Sequence, residues 1–279
     1  MALSITPITN HRQREKGVLV YPVYSRRSGG LSVGINLFPD KKNCQFNCPY
    51  CEVFPFSSNA GFSLEQMESD LRAAIKYAHE QNIPVRDICF SGNGEPTLSA
   101  SFGEALKLAE NIRAQTDARA KLVVITNGAG LLQPQVFSLL KDAAANNKFN
   151  IWLKLDAGTP GWYKKINRAS IPFENLIAKI KEFAARASFT IQTMLCAIDG
   201  ERPPDGEAHA WEALVCELAE TQADGNSAIR KVQIYGKARS APEDPLASAL
   251  PETYLEERAA SLRRAFAERN ITTQAEVYL

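Results

Sequence analysis

Short apolar strands and longer amphipathic helices alternate along most of this chain, and this alternation restricts the folds that it can adopt. Runs rich in β-branched residues predict strands at residues 31–38, 85–90, 121–126, 149–155, 189–195 and 229–235. Helical patterns follow at residues 63–81, 102–114, 134–146, 172–187, 207–221 and 251–269. Strands joined by helices pair in parallel, because each helix returns the chain to the same end of the sheet. The sequence therefore predicts an α/β fold, a partial (βα)6 TIM-like barrel of parallel strands in a single domain.

Local signals support the predicted helix starts and suggest a domain layout. Ser63 with Gln66 three residues later is typical of a capping box, and Pro134 suits the first turn of a helix. No change in composition separates the strand–helix units, which argues for one parallel sheet rather than two domains. The predicted core is residues 21–240, the span over which the chain resembles a known family. An N-terminal arm at residues 1–20 and a C-terminal helical extension at residues 241–279 complete the layout.

Charge and hydropathy limit the partners of the chain. Its 32 Lys and Arg residues nearly balance 31 Asp and Glu residues, and a net charge of +1 argues against a large surface for nucleic acid or anionic membrane. The N-terminus lacks an apolar signal segment, and no stretch approaches 18 uncharged apolar residues. We therefore expect a cytoplasmic protein without a membrane partner, in which the six cysteines are ligands, reactive thiols or core residues rather than disulfides.

The segment NCQFNCPYC places Cys44, Cys48 and Cys51 at Cys-x3-Cys-x2-Cys spacing. A closed zinc site needs four ligands, so three cysteines leave one coordination position open. This spacing suits three irons of a four-iron four-sulfur cluster, and a zinc site completed by a distant residue is the alternative. The remaining cysteines are isolated along the chain and are expected in the core: Cys89, Cys196 and Cys216.

The loops that follow parallel strands lie at one face of such a fold, and this is the face at which ligands bind. SGNGEPT follows the predicted strand at 85–90, and Gly92 and Gly94 would let its backbone approach a ligand closely. Glu95 adds a carboxylate suited to an ammonium group, although an ordinary tight turn would also explain the glycines. Lys154 and Asp156 alternate at the end of another strand and point to the same side, either toward a ligand or as a buried salt bridge.

The cysteine motif, with Tyr50 before its last cysteine, resembles the defining motif of the radical S-adenosylmethionine (radical SAM) enzymes. SGNGEP resembles the methionine-binding motif of the same superfamily. Other segments resemble the branch that includes wyosine-type transfer RNA enzymes and their uncharacterised bacterial relatives: YSRRSGGLSVGINLFP, VITNGAG, WLKLDAG, KINR, IQTML and VQIYGKAR. The resemblance extends over residues 21–240.

This resemblance implies a four-iron four-sulfur cluster and S-adenosylmethionine as cofactors. In this superfamily the amino and carboxylate groups of S-adenosylmethionine chelate the open iron. One electron from an external donor of the flavodoxin or ferredoxin type then breaks a carbon–sulfur bond, and a 5′-deoxyadenosyl radical abstracts hydrogen from the substrate. The substrate is unidentified: a transfer RNA base is the first candidate, although the cysteines of a second cluster, which wyosine-forming relatives carry ahead of the motif, are missing before Cys44. The alternative is a non-catalytic iron-sulfur or zinc protein, an electron carrier or a binding module.

The resemblance also implies roles for individual residues. Glu95 and the backbone of Gly92, Asn93 and Gly94 would hold the methionine ammonium group. Lys154 and Asp156 are expected to contact the ribose and carboxylate of the cofactor, and Gln192 and Tyr235 are expected to contact its ribose and adenine. Asn127 is a further expected contact at the same rim. Tyr50 is expected to shield the cluster. Cys44, Cys48 and Cys51 are the expected metal ligands, and the sequence assigns no catalytic residue.

Overall fold

The computed structural model of the chain describes residues 17–223 and 225–279. These residues form two compact units whose segments alternate along the sequence. The first unit contains the described residues up to Cys44, with residues 53–126 and 146–150, and the second contains residues 45–52, 127–145 and 151–279. Because the chain enters each unit more than once, neither unit is a continuous stretch of sequence.

The first unit contains four strands and two helices. In chain order these are β1 (Val20–Ser25), β2 (Gly30–Ile35), α1 (Leu64–Glu80), β3 (Val85–Phe90), α2 (Phe102–Thr116) and β4 (Lys121–Thr126). The strands are ordered β1-β2-β3-β4; β1 pairs antiparallel with β2, and the remaining pairs are parallel. The carboxyl ends of β2, β3 and β4 therefore lie at the same edge of this sheet.

Helix α1 shows how the local pattern produces packing in this unit. The Ser63 hydroxyl accepts a hydrogen bond from the Gln66 N–H at 3.2 Å, which confirms the predicted cap. Met67, Leu71 and Ile75 are spaced by four residues and are buried on one face of the helix. Each such side chain contributes about 1.5–3 kcal/mol when it leaves water, so this face holds α1 against its neighbours β1 and α2.

The second unit contains the rest of the chain. Its helices are α3 (Pro134–Ala144), α4 (Pro160–Ile166), α5 (Phe173–Ala184), α6 (Asp205–Glu220) and α7 (Glu252–Glu268). Its strands are β6 (Phe189–Ile198), β7 (Gln222–Ala223), β8 (Asn226–Ser227), β9 (Ile229–Gly236), β10 (Ala247–Ala249), β11 (Gln274–Tyr278) and most of β5 (Phe149–Lys154), whose first two residues are counted in the first unit. Strands β5, β6, β9 and β11 pair in parallel in that order, β10 pairs antiparallel with β6, and β7 pairs antiparallel with β8.

Strand β6 is the centre of the second unit, and all ten of its residues are buried. Phe189 at its start stacks near the ring of Phe183 from α5, with ring centroids 6.0 Å apart. Gln192 and Thr193 interrupt the apolar sequence of the strand although both are fully buried. Because burying a polar group without a partner costs free energy, polar side chains in this position indicate a network or a ligand.

The α/β class and the TIM-like succession of parallel strands and helices are confirmed. Every predicted strand and helix is present, with ends that differ by a few residues; the first predicted strand, for example, ends at Ile35 rather than at residue 38. Pro134 occupies the first turn of α3, as predicted. No helix in the described part of the chain is long and apolar enough to cross a membrane.

Six of the strands and helices in the described residues were missed: β1, α4, β7, β8, β10 and β11. The predicted arm at residues 1–20 ends inside β1, and residues 1–16 of it lie outside the described residues. The predicted helical extension at residues 241–279 contains α7 but also β10 and β11. Strand β11 is short, and polar Gln274 and Glu276 mask its apolar alternation, so its pairing with β9 rather than its own pattern decides its structure.

Candidate active site

The glycine loop, residues 91–97, follows β3 in the first unit. Gly92 and Gly94 have φ angles of +132° and +148°, a region that favours glycine. Asn43 and Gly94 form a parallel bridge, in which the Asn43 carbonyl accepts a hydrogen bond from the Glu95 N–H at 2.8 Å. A Cβ atom at Gly94 would lie 1.8 Å from that carbonyl oxygen. The glycine therefore allows the loop to contact the chain immediately before Cys44.

Two asparagine side chains hold this loop in place. The Asn36 carbonyl oxygen Oδ1 accepts hydrogen bonds from the N–H groups of Asn93, at 3.1 Å, and Phe38, at 3.2 Å. The Asn93 side chain donates to the Phe38 carbonyl at 3.1 Å. The side chain of Asn93 thus fixes the loop, and the contact of its backbone with a cofactor stays a prediction. Asn36 was missed, although it lies in the GINLFP segment on which part of the resemblance rests.

Glu95 is buried directly behind the glycine loop. Its oxygen Oε1 accepts hydrogen bonds from the Thr97 hydroxyl at 2.6 Å, the Thr126 hydroxyl at 2.7 Å and the Thr97 N–H at 3.2 Å. These neutral donors orient the carboxylate. A buried carboxylate is stabilised by a cation, so the ammonium group of an amino acid is a fitting ligand here.

The cysteine loop, residues 45–52, belongs to the second unit and carries Cys48 and Cys51, whereas Cys44 ends a segment of the first unit. All three cysteines are thiols rather than disulfides, and all three are partly exposed. The backbone of the loop is held by hydrogen bonds from the Asn47 N–H to the Asn167 carbonyl at 3.0 Å and from the Ser170 N–H to the Gln45 carbonyl at 3.2 Å. Burial of its thiol, and next the charge of Asp156, raise the pKa of Cys48 to about 11.

Asp156 links the cysteine loop to the end of β5. Its oxygen Oδ2 accepts hydrogen bonds from the Tyr50 hydroxyl at 2.5 Å and from Asn167 Nδ2 at 2.8 Å. Its oxygen Oδ1 accepts the Met194 N–H at 2.8 Å and lies 3.5 Å from Lys154 Nζ. Burial, and next the Asp156 charge, raise the pKa of Tyr50 well above its ordinary value, so the hydroxyl stays a donor. Four donors thus surround this carboxylate.

Lys154 and Asp156 therefore form the buried ion pair that the sequence left as an alternative. Lys154 Nζ also donates to the Tyr235 hydroxyl at 2.6 Å and lies 4.9 Å from the centre of the Tyr50 ring. Burial alone would lower the pKa of Lys154, but the Asp156 charge raises it above its ordinary value. The lysine is consequently cationic at neutral pH and brings Tyr50 and Tyr235 into one network.

A row of polar side chains continues across the strands from this network. The parallel register pairs Lys154 of β5 with Gln192 of β6, and Gln192 with Gln233 of β9. Gln192 Nε2 donates to Gln233 Oε1 at 2.7 Å, whereas Gln192 Oε1 is buried and has no hydrogen-bond partner in the part of the chain that the structure describes. An orphaned carbonyl oxygen of this kind fits a ligand with a hydroxyl or amino donor. Gln233 was missed, although its alternation with the predicted Tyr235 placed it on the same side of β9.

Asn127 has a local role. Its Oδ1 accepts a hydrogen bond from the Ala129 N–H at 2.9 Å, at the turn where Gly128 has a φ angle of +81°. The side chain is buried and lies at the end of β4, as the sequence predicted for a rim residue. Its contact with a cofactor stays a prediction.

Residues around Cys48 fit a cluster with acceptor sulfurs. The Tyr163 hydroxyl is buried and has no hydrogen-bond partner among the described residues. Burial raises the pKa of Tyr163, and the charge of a Cys48 thiolate raises it further, so the hydroxyl stays a donor. A buried donor without a partner suits the sulfide and thiolate acceptors of an iron-sulfur cluster. Within the described residues, no three Cys, His, Asp or Glu side chains form a group that could hold a single metal ion.

A family comparison identifies the superfamily. Residues 41–209, more than half of the chain, match the radical SAM superfamily. The chain belongs to this superfamily. The matched region contains all three motif cysteines, the glycine loop and Asp156, and membership confirms the resemblance that the sequence indicated. The cofactors of the superfamily, S-adenosylmethionine and a four-iron four-sulfur cluster, are those that the resemblance implied.

Among curated proteins, the relatives of this radical SAM protein are bacterial. A UPF0026 protein of Helicobacter pylori strain 26695 is 31% identical over 183 residues, which cover 63% of this chain and 53% of the relative. A UPF0026 protein of Synechocystis is 31% identical over 189 residues, which cover 62% of this chain and 63% of the relative. The chain thus spans about half the length of the Helicobacter relative.

Solved structures of radical SAM proteins share the fold. Streptococcus suis SuiB bound to S-adenosylmethionine has a TM-score of 0.64 at 14% identity, and the match covers 86% of this chain and 49% of SuiB. A radical SAM methyltransferase from Sphaerobacter thermophilus has a TM-score of 0.63 at 14% identity, and the match covers 92% of this chain and 68% of that protein. At this identity the likeness concerns the fold.

The site residues predicted from sequence fall into separate groups. Tyr50, Lys154, Asp156 and Tyr235 form one network, Gly92 to Glu95 form the glycine loop of the first unit, and Gln192 pairs with Gln233. Among the residues that were missed, Asn167 connects Asp156 to Cys48. It lies in the KINR segment, to which the sequence assigned no role.

Proposed function

We propose that this chain is a radical SAM enzyme that cleaves S-adenosylmethionine reductively and abstracts hydrogen from a substrate. The proposal depends on the match of residues 41–209 to the superfamily, because this region contains the open cysteine motif and the glycine loop. When bound and cleaved, S-adenosylmethionine supplies the radical; the protein residues bind and orient it.

Cys44, Cys48 and Cys51 are the proposed cluster ligands, which leaves one iron for the amino and carboxylate groups of S-adenosylmethionine. Their spacing along the chain supports this assignment, since the motif contributes three thiolates where a closed site needs four ligands. Thiolate ligands must be deprotonated, so the raised pKa of Cys48 implies that binding of the cluster releases its proton.

The glycine loop and Glu95 are the proposed site for the methionine part of the cofactor. Gly92 and Gly94 adopt positive φ angles that bring this loop against Asn36 and Asn43, and Glu95 follows them with an oriented carboxylate. The charge of Glu95 would pair with the cofactor ammonium group. Threonine hydroxyls already fix one oxygen of this carboxylate, so little conformational freedom is lost on binding.

Lys154 and Gln192 are proposed to contact the polar remainder of the cofactor. The Gln192 carbonyl oxygen is an unused acceptor, and Lys154 Nζ has one donor left after its bonds to Tyr235 and Asp156 in the described chain. Asp156 accepts a hydrogen bond from Tyr50 and further hydrogen bonds from neighbouring donors. We therefore reassign these two residues to holding the cysteine loop.

The substrate and the electron donor are not specified by these residues. A transfer RNA base was the first candidate from sequence, and a flavodoxin or ferredoxin was the expected donor in the cytoplasm. SuiB, which shares the fold, has been crystallised with its precursor peptide SuiA. A screen for product formation should therefore present both transfer RNA and peptide pools to the reconstituted protein.

Anaerobic reconstitution with iron and sulfide tests the proposed function. We expect an electron paramagnetic resonance signal of a reduced four-iron cluster that changes when S-adenosylmethionine is added, with release of 5′-deoxyadenosine. A signal that the cofactor leaves unchanged would indicate a non-catalytic electron carrier. Zinc retained in place of iron would indicate a structural metal module.

We expect Glu95→Gln to weaken S-adenosylmethionine binding by about 10- to 100-fold, because a charge-assisted hydrogen bond contributes roughly 1.5–3 kcal/mol. The amide oxygen of glutamine can still accept from Thr97 and Thr126, so the fold should be retained. Titration of the change in the electron paramagnetic resonance signal measures the affinity. The matched control Glu104→Gln alters an exposed carboxylate of α2 in the same unit and should bind as the wild type does. Equal affinities for the two variants would remove Glu95 from the site.

A further inference from the structure

The side-chain amide of Asn167 contacts the sulfur of Cys48, one of the three motif cysteines. Asn167 Nδ2 lies 3.5 Å from Cys48 Sγ and 2.8 Å from Asp156 Oδ2. The residue is buried and immediately follows α4, where its N–H donates to the Tyr163 carbonyl at 2.9 Å. Helix α4 and the cysteine loop therefore fix the position of this side chain.

The chemistry of Asp156 determines which end of the amide faces the sulfur. An ionised carboxylate only accepts hydrogen bonds, so the nitrogen of the amide, rather than its oxygen, must point toward Asp156. That nitrogen carries two hydrogens. One is donated to Asp156, and the other is directed at Cys48 Sγ.

The backbone of Asn167 adds a second contact with the same cysteine. In the thiol form, Cys48 donates a weak hydrogen bond to the Asn167 carbonyl at 3.7 Å. A cysteine sulfur that binds a metal carries no proton and can only accept hydrogen bonds, so the side-chain N–H of Asn167 is the group that can donate to it in that state.

We propose that Asn167 is a positioning residue whose amide, oriented by Asp156, donates a hydrogen bond to the Cys48 thiolate and raises the reduction potential of the bound cluster. This inference rests on the proposed function, which supplies the cluster. Reduction adds one electron and one negative charge, and a donor directed at a ligand sulfur stabilises the more negative state. The amide therefore makes the cluster easier to reduce by its one-electron donor.

The test is a redox titration of the reconstituted protein, followed by electron paramagnetic resonance without S-adenosylmethionine. In Asn167→Ala we expect the ratio of reduced to oxidised cluster at a fixed potential to fall by about tenfold, or about 59 mV for a one-electron couple. Asn167→Ser keeps a single shorter donor and should lie between this variant and the wild type. Asn47→Ala is the matched control, because it also removes an asparagine side chain, but an exposed one in the cysteine loop.

The outcomes separate this inference from the proposed function. A cluster that forms in Asn167→Ala with the wild-type potential would overturn the inference alone. If Asn167→Ala assembles no cluster, the potential of Asn167→Ser is measured instead. A wild-type potential in Asn167→Ser would equally overturn the inference. A cluster whose resonance signal does not change with S-adenosylmethionine, but whose reduction potential shifts as expected in the variant, would instead contradict the proposed function.

Discussion

Replacing Cys48 with alanine is expected to abolish stable cluster assembly and, with it, the release of 5′-deoxyadenosine. The substitution leaves one iron without its thiolate and deprives the Asn167 amide of its sulfur acceptor. Loss of an outer-shell partner of a metal ligand already costs about 10- to 100-fold in metal affinity, so loss of the ligand should cost at least about 100-fold. Iron content after desalting and product release by chromatography measure the two effects.

Cys216→Ala is the control for this experiment. Cys216 is buried in α6, lies outside the motif and has its pKa raised by burial, as expected for a protonated core thiol. We expect this variant to retain iron and activity, with a loss in stability of about 1 kcal/mol. If both variants kept the cluster, Cys48 would not be a ligand of its iron.

Gly94→Ala is expected to destabilise the first unit and to eliminate S-adenosylmethionine binding. The added Cβ would lie 1.8 Å from the Asn43 carbonyl oxygen, at a φ angle of +148° that alanine rarely adopts. Relief of this clash requires the bridge between Asn43 and Gly94 to open, next to Cys44 in the chain. We expect a loss of roughly 3 kcal/mol and a decrease in Tm of roughly 6–12 °C.

Thermal unfolding and cofactor titration of this variant are best compared with Gly61→Ala. Gly61 lies in the same unit, has no heavy atom within 4 Å of its Cβ position and does not require a positive φ angle. Its substitution should change the free energy of unfolding by less than about 0.5 kcal/mol and leave cofactor binding intact. Similar melting and binding by the two variants would contradict the role assigned to the bridge.

The glycine loop shows how far a motif can be interpreted without coordinates. The sequence predicted positive φ angles and close approach at Gly92 and Gly94, and both angles are positive. It attributed the close approach to a ligand, whereas the atom nearest to the Gly94 Cβ position is the carbonyl oxygen of Asn43. The need for glycine could be predicted from the local sequence. The neighbour that imposes it lies 51 positions away in the chain and is brought close only by folding.

Only one of the partners of Asp156 could be predicted from the sequence. Its alternation with Lys154 correctly placed both side chains on one side of β5, and the ion pair was one of two expectations. The Tyr50, Asn167 and Met194 donors come from the cysteine loop, the end of α4 and β6. No spacing relates these segments, because their approach depends on the packing of elements that are distant in sequence.

The sequence alone determined the succession of the six predicted strand–helix units, the open set of three cysteines and the superfamily. These properties depend on residues that are close in the chain, through side-chain periodicity, turn chemistry and ligand spacing. The tertiary structure decided which polar groups are partners: Asn43 with the glycine loop, Gln192 with Gln233, and Asn167 with Cys48. Hydrogen bonds require atoms within about 3.5 Å of each other, and only the packing and register of the folded chain provide that proximity for residues so far apart in sequence.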